Sequence, residues 1–422
     1  MAQRGVTRKL STVRAWGWAY FYRYCLVGFP WFWAARPPGE PAMVAARRMV
    51  RRHFGRDHKP PQRALARVLT TTAWPFAVLV HLWQLRRFYG PEAMPIRRAP
   101  GAIWAAMRHN ILPGEYYAYA LWRPERRKNI DNYLYSHEAA RIFKIVNRPL
   151  HSDPIDDKLA FHEMCKAHAL PTPTVLAAFG PTGVLLEFES GQPPELDLFV
   201  KPRAGFGGHG VERFRWRGGA FESNCGRRVR RPDLVERLKA RARNEQRTLL
   251  VQPNLSNHPG LGVEANGALA TVRLVTGYSV GGDVTAIFSF ISFARSQRIT
   301  AQQGHVVLID VTSGRLVPIS TQNSSNTAKS NTEARNGLTF IAQKPAPILP
   351  DWPAALRYAK AAHRLCSNII FIGWDFAFTH NGPVLLEGNA NWSADEYQSI
   401  SGAPLGHTTF AAVLSTWLRN YG

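Results

Sequence analysis

Two short stretches hold side chains whose types and spacing could do chemistry. In residues 373–391, GWDFAFTHNGPVLLEGNAN, Asp375 precedes a His380-Asn381-Gly382 turn, and Glu387 and Asn389 follow it. A two-residue separation puts Glu387 and Asn389 on one face of a strand. Asp375 can reach the same face across the turn. Two carboxylates and an amide oxygen are hard donors of the kind that Mg²⁺ takes together with phosphate oxygens. The alternative is a solvated hairpin carrying a few acids. Trp374 and Leu385-Leu386 argue for partial burial, where unpaired carboxylates are costly.

The second stretch is residues 199–214, FVKPRAGFGGHGVERF. Lys201 ends a short apolar run, and four glycines follow within six residues: Gly205, Gly207, Gly208 and Gly210. Glycine lets backbone N–H groups turn together toward phosphate oxygens, and a lysine at the mouth supplies a point charge. A glycine-rich hairpin turn would look the same. It is not a Walker loop, since GxxxxGK[ST] is absent, and it is not read as a Rossmann turn. The two stretches together suggest ATP and Mg²⁺ held between two sheets.

The elements around them are short strands alternating with helices. DKLAFHEMCKAHAL (157–170) reads as a helix with Asp157 near its start, and DLVERLKARARNE (233–245) and WPAALRYAKAAHRLC (352–366) read as two more. TPTVLAAF, GVLLEF, LFVKP and LLVQP read as strands. Residues 270–293 form a hairpin about a Gly-Gly-Asp turn, residues 305–319 repeat that pattern, and residues 371–392 form a last hairpin. Residues 320–336 are polar and read as an exposed loop. This is an α+β texture with antiparallel sheets rather than regular βαβ alternation.

In this order and spacing the chain resembles the ATP-grasp superfamily, most closely its sugar-transfer-associated family, over about residues 105–420. The resemblance rests on DKLAFHEMCKAHALPTP, LFVKPRAGFGGHGV, LLVQPNLSNHP, TVRLVTG and GWDFAFTHNGPVLLEGNANW. It implies an ATP-grasp fold, in which two α+β subdomains grip ATP between antiparallel sheets: a lid at about 172–253 and a metal-binding subdomain at about 254–422. It also implies that Lys158 and Lys201 face phosphate and that Gly205, Gly207, Gly208 and Gly210 form the lid. Gln252 and Pro253 would be the hinge whose backbone reads adenine. Arg273 would stabilise the transferring phosphoryl, and Asp375, Glu387 and Asn389 would bind Mg²⁺. Arg273 on an alternating strand also suits an exposed arginine, and Lys158 a solvated helix start. Residues 295–304 depart from the pattern of the family's middle hairpin, which should shape the acceptor pocket. The reaction implied joins a carboxylate to an amine through an acyl phosphate, and His209 and His258 are candidate bases. A sugar kinase on the same fold is the nearest alternative.

Composition sets the frame. The chain has 422 residues, 45% hydrophobic and 11% aromatic, and reads as globular with a sizeable core. Cys25, Cys165, Cys225 and Cys366 lie far apart, which excludes a CxxC zinc site or disulfide framework and suits a reducing, cytoplasmic setting. The net charge is +24, and residues 1–100 hold 18 Lys and Arg against Glu40, Asp57 and Glu92, so about +15 of it lies there. Such a region attracts polyanions. Residues 1–104 are expected to form a mostly helical, aromatic-rich region. Two apolar blocks, residues 15–35 with ten aromatics and residues 69–83, suit core helices or a membrane interface, and the second is too short to span. Peripheral contact with an anionic membrane through residues 1–100 is expected, as is no specific nucleic-acid binding, since no such signature accompanies the charge. A membrane or nucleic-acid binder with a degenerate ATP site is the reading from another class.

Overall fold

The computed structural model describes residues 41–57, 60–147, 154–205, 209–261, 267–293, 305–317 and 346–419. Its helices are α1 (Pro41–Asp57), α2 (Pro60–Tyr89), α3 (Ala99–His109), α4 (Pro113–Ala118), α5 (Pro124–Arg127), α6 (Ser136–Val146), α7 (Lys158–Ala167), α8 (Asp233–Glu245), α9 (Trp352–Leu365), α10 (Asp395–Ser401) and α11 (Thr409–Arg419). Its strands are β1 (Ala177–Phe179), β2 (Val184–Leu186), β3 (Leu198–Pro202), β4 (Glu212–Trp216), β5 (Ala220–Ser223), β6 (Arg228–Arg230), β7 (Leu249–Pro253), β8 (Thr271–Tyr278), β9 (Val284–Phe293), β10 (His305–Ile309), β11 (Phe371–Thr379) and β12 (Gly382–Asn389). They fall into two compact units, one drawn from Met1–Val146 with Ser393–Gly422, the other from Asn147–Thr321 with Thr327–Trp392.

The first unit is helical. Trp74 and Val78 on α2 pack with Ala106 and Leu112, and Trp74 Nε1 donates to the Ala106 carbonyl at 3.1 Å. Buried Arg47 on α1 donates to both Glu138 carboxylate oxygens, at 2.8 and 3.1 Å, and to the Asp131 carbonyl at 2.6 Å. Helix α11 buries Phe410, Val413, Leu414 and Leu418 and packs on α1.

The second unit holds both sheets, antiparallel throughout. One has seven strands in the order β2-β1-β7-β3-β4-β5-β6, the other five in the order β10-β9-β8-β11-β12. In each, alternate residues along the strands enter one core, with the period of two that strands impose. Leu198, Val200, Leu249 and Val251 of the larger sheet join Leu234, Leu238 and Ala242 of α8 in one core. Val272, Leu274, Ile372, Trp374, Phe376 and Leu385 of the smaller sheet join Ala355, Ala359 and Ala362 of α9 in another. The residues between them along each strand lie on the opposite face, and the candidate site is built there.

Helix α7 ties the sheets together. Asp157 caps it, accepting from Leu159 N at 2.9 Å and Ala160 N at 3.2 Å, as expected of an aspartate at a helix start. Phe161 and Cys165 enter the core of the five-stranded sheet, while Leu159 packs on Val175 and on Ala178 and Leu250 of the seven-stranded one. The repeat expected at 305–319 is reduced to β10 and a turn, which returns Leu316 to a single bridge with Ile309. Among the described residues, no helix is long and apolar enough to cross a membrane. The first apolar block, the polar stretch 320–336 and residues 295–304 lie outside the described residues.

Candidate functional site

The five-stranded sheet presents one row of charge. Arg273 on β8 pairs across the ladder with Asp375 on β11, and Asp375 pairs with Glu387 on β12. Directly opposed residues in an antiparallel sheet share a face, so three charged side chains stand in line across three strands. Asp375 is the one residue of β11 that is not buried. A bulge between Asp375 and Phe376 leaves Leu386 without a cross-strand partner. That shift keeps Leu385 in the core while Glu387 faces Asp375.

The row is tightly bonded. Arg273 Nε donates to Asp375 Oδ1 at 2.5 Å and an Nη to Oδ2 at 3.1 Å, a two-pronged contact. Asn389 Nδ2 lies 3.5 Å from Asp375 Oδ2. Burial pushes the Asp375 carboxyl above the usual carboxylate range; Arg273 opposes that and Glu387 adds to it. Two carboxylates and an amide side by side in a half-buried position offer the hard oxygen donors that suit a dication. Among the described residues, no cluster of three His, Cys, Asp or Glu side chains competes for that role.

The seven-stranded sheet supplies the other wall. Lys201 on β3 lies opposite Leu250 and Phe199 lies opposite Gln252 on β7, so Lys201 and Gln252 share the face turned away from the α8 core. Gln252 is buried, and its Nε2 donates to the Pro173 carbonyl at 3.1 Å. Pro253 is half-buried at the end of β7. Burial brings the Lys201 amine down to about 8, with Glu387 opposing the shift and Lys158 adding to it. The Glu387 carboxylate therefore lies within electrostatic reach of Lys201. Lys158 Nζ stands 3.4 Å from Glu387 Oε2 and donates to the Gly205 carbonyl at 2.6 Å.

The glycine loop begins and ends in backbone that only glycine adopts freely. Gly205 has φ +118° and Gly210 has φ +76°. Residues 205–210 spell G-x-G-x-x-G, which cradles a dinucleotide when a helix follows. Here β4 follows, antiparallel to β3, so the loop is a hairpin connection rather than a Rossmann turn. Gly207 and Gly208 lie outside the described residues.

Several supporting residues escaped the sequence reading. Arg203 clamps the cap residue Asp157 through both carboxylate oxygens, at 2.5 to 2.8 Å, and its carbonyl accepts Lys158 N at 3.2 Å. Arg241 on α8 donates to the Gly210 carbonyl at 2.5 Å while pairing with Glu212 at 3.1 Å. Asn147 bridges the Phe371 carbonyl at 3.1 Å and the Ala390 carbonyl at 2.6 Å, joining β11 to the chain that leaves β12. The Arg203 contact with Asp157 spans 46 residues and leaves no local trace in the sequence. The other two contacts span 31 residues or more and leave no local trace. Of the two candidate bases, His209 is exposed, and His258 Nδ1 accepts from Gly260 N at 2.9 Å, closing its own turn.

A family model for sugar-transfer associated ATP-grasp proteins matches residues 138–411. The chain belongs to the sugar-transfer associated ATP-grasp family. Its α+β architecture, with two antiparallel sheets and a helical N-terminal region, is the ATP-grasp fold. Among solved structures, this ATP-grasp chain is similar to the D-alanine–D-alanine ligase of Bacillus anthracis complexed with ATP, at 9% identity and a TM-score of 0.36 over 64% of this chain and 67% of that one. The Helicobacter pylori D-alanine–D-alanine ligase matches at 13% identity and TM-score 0.33, over 63% of this chain and 61% of that one. An N5-carboxyaminoimidazole ribonucleotide synthetase from Thermotoga maritima matches at 13% identity and TM-score 0.28, over 60% and 50%. A comparison with curated proteins found no match.

Proposed function

We propose that this ATP-grasp protein is an ATP- and Mg²⁺-dependent ligase that joins a carboxylate to an amine or similar nucleophile, in the assembly of a polysaccharide, cell-surface component or secondary metabolite. The observation that carries the reading is the charged row Arg273–Asp375–Glu387, with Lys158 3.4 Å from Glu387 and Lys201 within its electrostatic reach. In this reading Asp375, Glu387 and Asn389 hold Mg²⁺, and the lid over about 172–253 closes on the nucleotide. Mg²⁺ bound there would neutralise charge on the β- and γ-phosphates.

The chain's own residues do the rest. Lys158 and Lys201 take the phosphates, and the backbone of Gly205, Gly207, Gly208 and Gly210 covers them. Gln252 and Pro253 present hinge backbone to the adenine. The substrate carboxylate oxygen attacks the γ-phosphorus, the bond to the β-phosphate oxygen breaks, and ADP leaves. The amine then attacks the acyl carbon, phosphate departs, and the amine loses a proton. Arg273, already held in plane by two bonds to Asp375, meets the charge that develops on the phosphoryl group. Positioning and charge neutralisation supply the catalysis, with no covalent enzyme intermediate.

The test is a thermal shift with ATP and Mg²⁺ on wild type and Glu387→Gln. At one hundred times its dissociation constant the ligand should add about 2.7 kcal/mol of stability. A shift in the wild type that the variant loses supports one joint site; equal shifts in both remove Glu387 from it. Hydroxylamine added during turnover with candidate carboxylates then traps a hydroxamate if an acyl phosphate forms. ADP release with a phosphorylated hydroxyl and no hydroxamate makes the protein a kinase instead.

A further inference from the structure

Helix α2 is apolar on two opposite sides. Trp74 and Val78 point inward, 1% exposed each, with Leu82 packed beside them. On the other side Phe76, Leu79 and Trp83 are 71%, 53% and 60% exposed. Their spacing of three and four residues places them in one stripe along the helix. A helix that is apolar all round belongs in a large core or in lipid, and a contiguous exposed apolar stripe marks an interaction surface. The helix itself is not apolar enough to span a bilayer.

Charge identifies the occupant. Across its 30 residues α2 has no Asp or Glu, and its last turn carries Arg86 and Arg87. The Arg87 guanidinium lies over the Trp83 ring, 5.4 Å from its centroid. Beyond the helix, exposed Ile96 stands beside exposed Arg97. An acidic protein surface would complement the arginines but offers no reason for three bare apolar side chains between them. A lipid interface takes both: rings and aliphatics enter the acyl boundary, and guanidinium groups meet anionic headgroups.

We infer that the outward stripe Phe76–Leu79–Trp83 of α2, with Arg86, Arg87 and Arg97, seats the protein on the surface of an anionic membrane, with α2 lying in the interfacial plane. This does not depend on the nucleotide reading, and its failure leaves that reading untouched.

The test uses the full chain and sedimentation with vesicles of phosphatidylcholine alone or with about one third phosphatidylglycerol. Wild type is expected to sediment with the anionic vesicles only, and to be released by salt. Phe76→Ser, Leu79→Ser and Trp83→Ser combined should weaken binding tenfold or more, with the helical circular dichroism of the wild type. Arg86→Gln, Arg87→Gln and Arg97→Gln combined should weaken it as well and flatten the salt dependence, which tests the surface even if the first variant misfolds. The inference is overturned if wild type ignores anionic vesicles. It is equally overturned if both variants bind as wild type does, which places the contact elsewhere in the chain. A wild-type dimer that the serine variant turns into a monomer, with no vesicle binding, makes the stripe an interface between copies and also overturns it.

Discussion

At the scale of single residues, two glycines define how closely the candidate site is built. A Cβ on Gly373 would stand 3.0 Å from Trp392 Cβ and 3.2 Å from both Arg273 Cδ and Nη1. The Arg273 side chain therefore lies directly over the β11 backbone, and glycine is what lets it do so. A Cβ on Gly388 would meet the Trp374 ring at 2.8 Å, inside the core. The two substitutions should separate. Gly388→Ala presses on a side chain with no exposure, and is expected to cost about 1–3 kcal/mol in urea unfolding. Gly373→Ala presses on the Arg273 side chain as well as on Trp392 Cβ, so it should weaken the ATP-dependent thermal shift more than Gly388→Ala does. The reverse order would place Arg273 outside the nucleotide site. The metal side of the site has its own check: with Asp375→Asn, the Mg²⁺ dependence of the shift should fall while the shift with ATP alone persists.

At the scale of elements, α9 is fastened to the five-stranded sheet by a buried polar chain. Trp374 Nε1 donates to Thr276 Oγ1 at 2.8 Å, Thr276 lies 2.6 Å from His363 Nδ1, and His363 Nε2 lies 2.8 Å from the Ile369 carbonyl. A carbonyl only accepts, so Nε2 carries the proton; Nδ1 then accepts from the Thr276 hydroxyl. The network is satisfied only with a neutral imidazole, and burial lowers His363 to about 4. The unfolded chain, with an ordinary histidine near 6.5, takes up a proton first as the solution is acidified. Stability from this group is therefore whole above about pH 6.5 and is lost as pH falls toward 4, by on the order of 3 kcal/mol. Urea unfolding from pH 8 to 4 should show this slope in the wild type and a shallower one in His363→Gln. Parallel curves would mean that His363 is protonated in the fold.

At the scale of the whole molecule, the last helices belong to the helical unit. Asp395 accepts from the Tyr119 hydroxyl and, at 2.8 Å, from Ser136 Oγ; Arg126 donates to the Ser399 carbonyl at 3.3 Å; and α11 buries four apolar side chains. Chain ends this distant must meet before that core exists. Removing residues 393–422 is expected to leave α1 uncovered and to make the helical unit protease-sensitive, with loss of its share of the far-ultraviolet signal. Unchanged proteolysis would show that the unit stands without them. Nucleotide binding is the separate readout: the described site residues all belong to the other unit.

Much of this was legible in the sequence because it is local. Period-two alternation indicated which residues of β3, β8 and β11 share a face, and the two-residue spacing put Glu387 and Asn389 together. Asp157 before an apolar helical repeat signalled a cap, and the Asn381-Gly382 turn signalled the last hairpin. The ordered motifs were enough to indicate the family. What spacing could not give was register and partner. The bulge at Leu386 sets Glu387 opposite Asp375, and nothing in VLLEGN marks where an extra residue will be left unpaired. Arg273 meets Asp375 across 102 residues, Lys158 meets Glu387 between two sheets, and α2 proved apolar on both sides only once its inner face was known. Local alternation is a property of the backbone and is written residue by residue. Long-range pairing is chosen by which cores close together, and only the folded chain decides that.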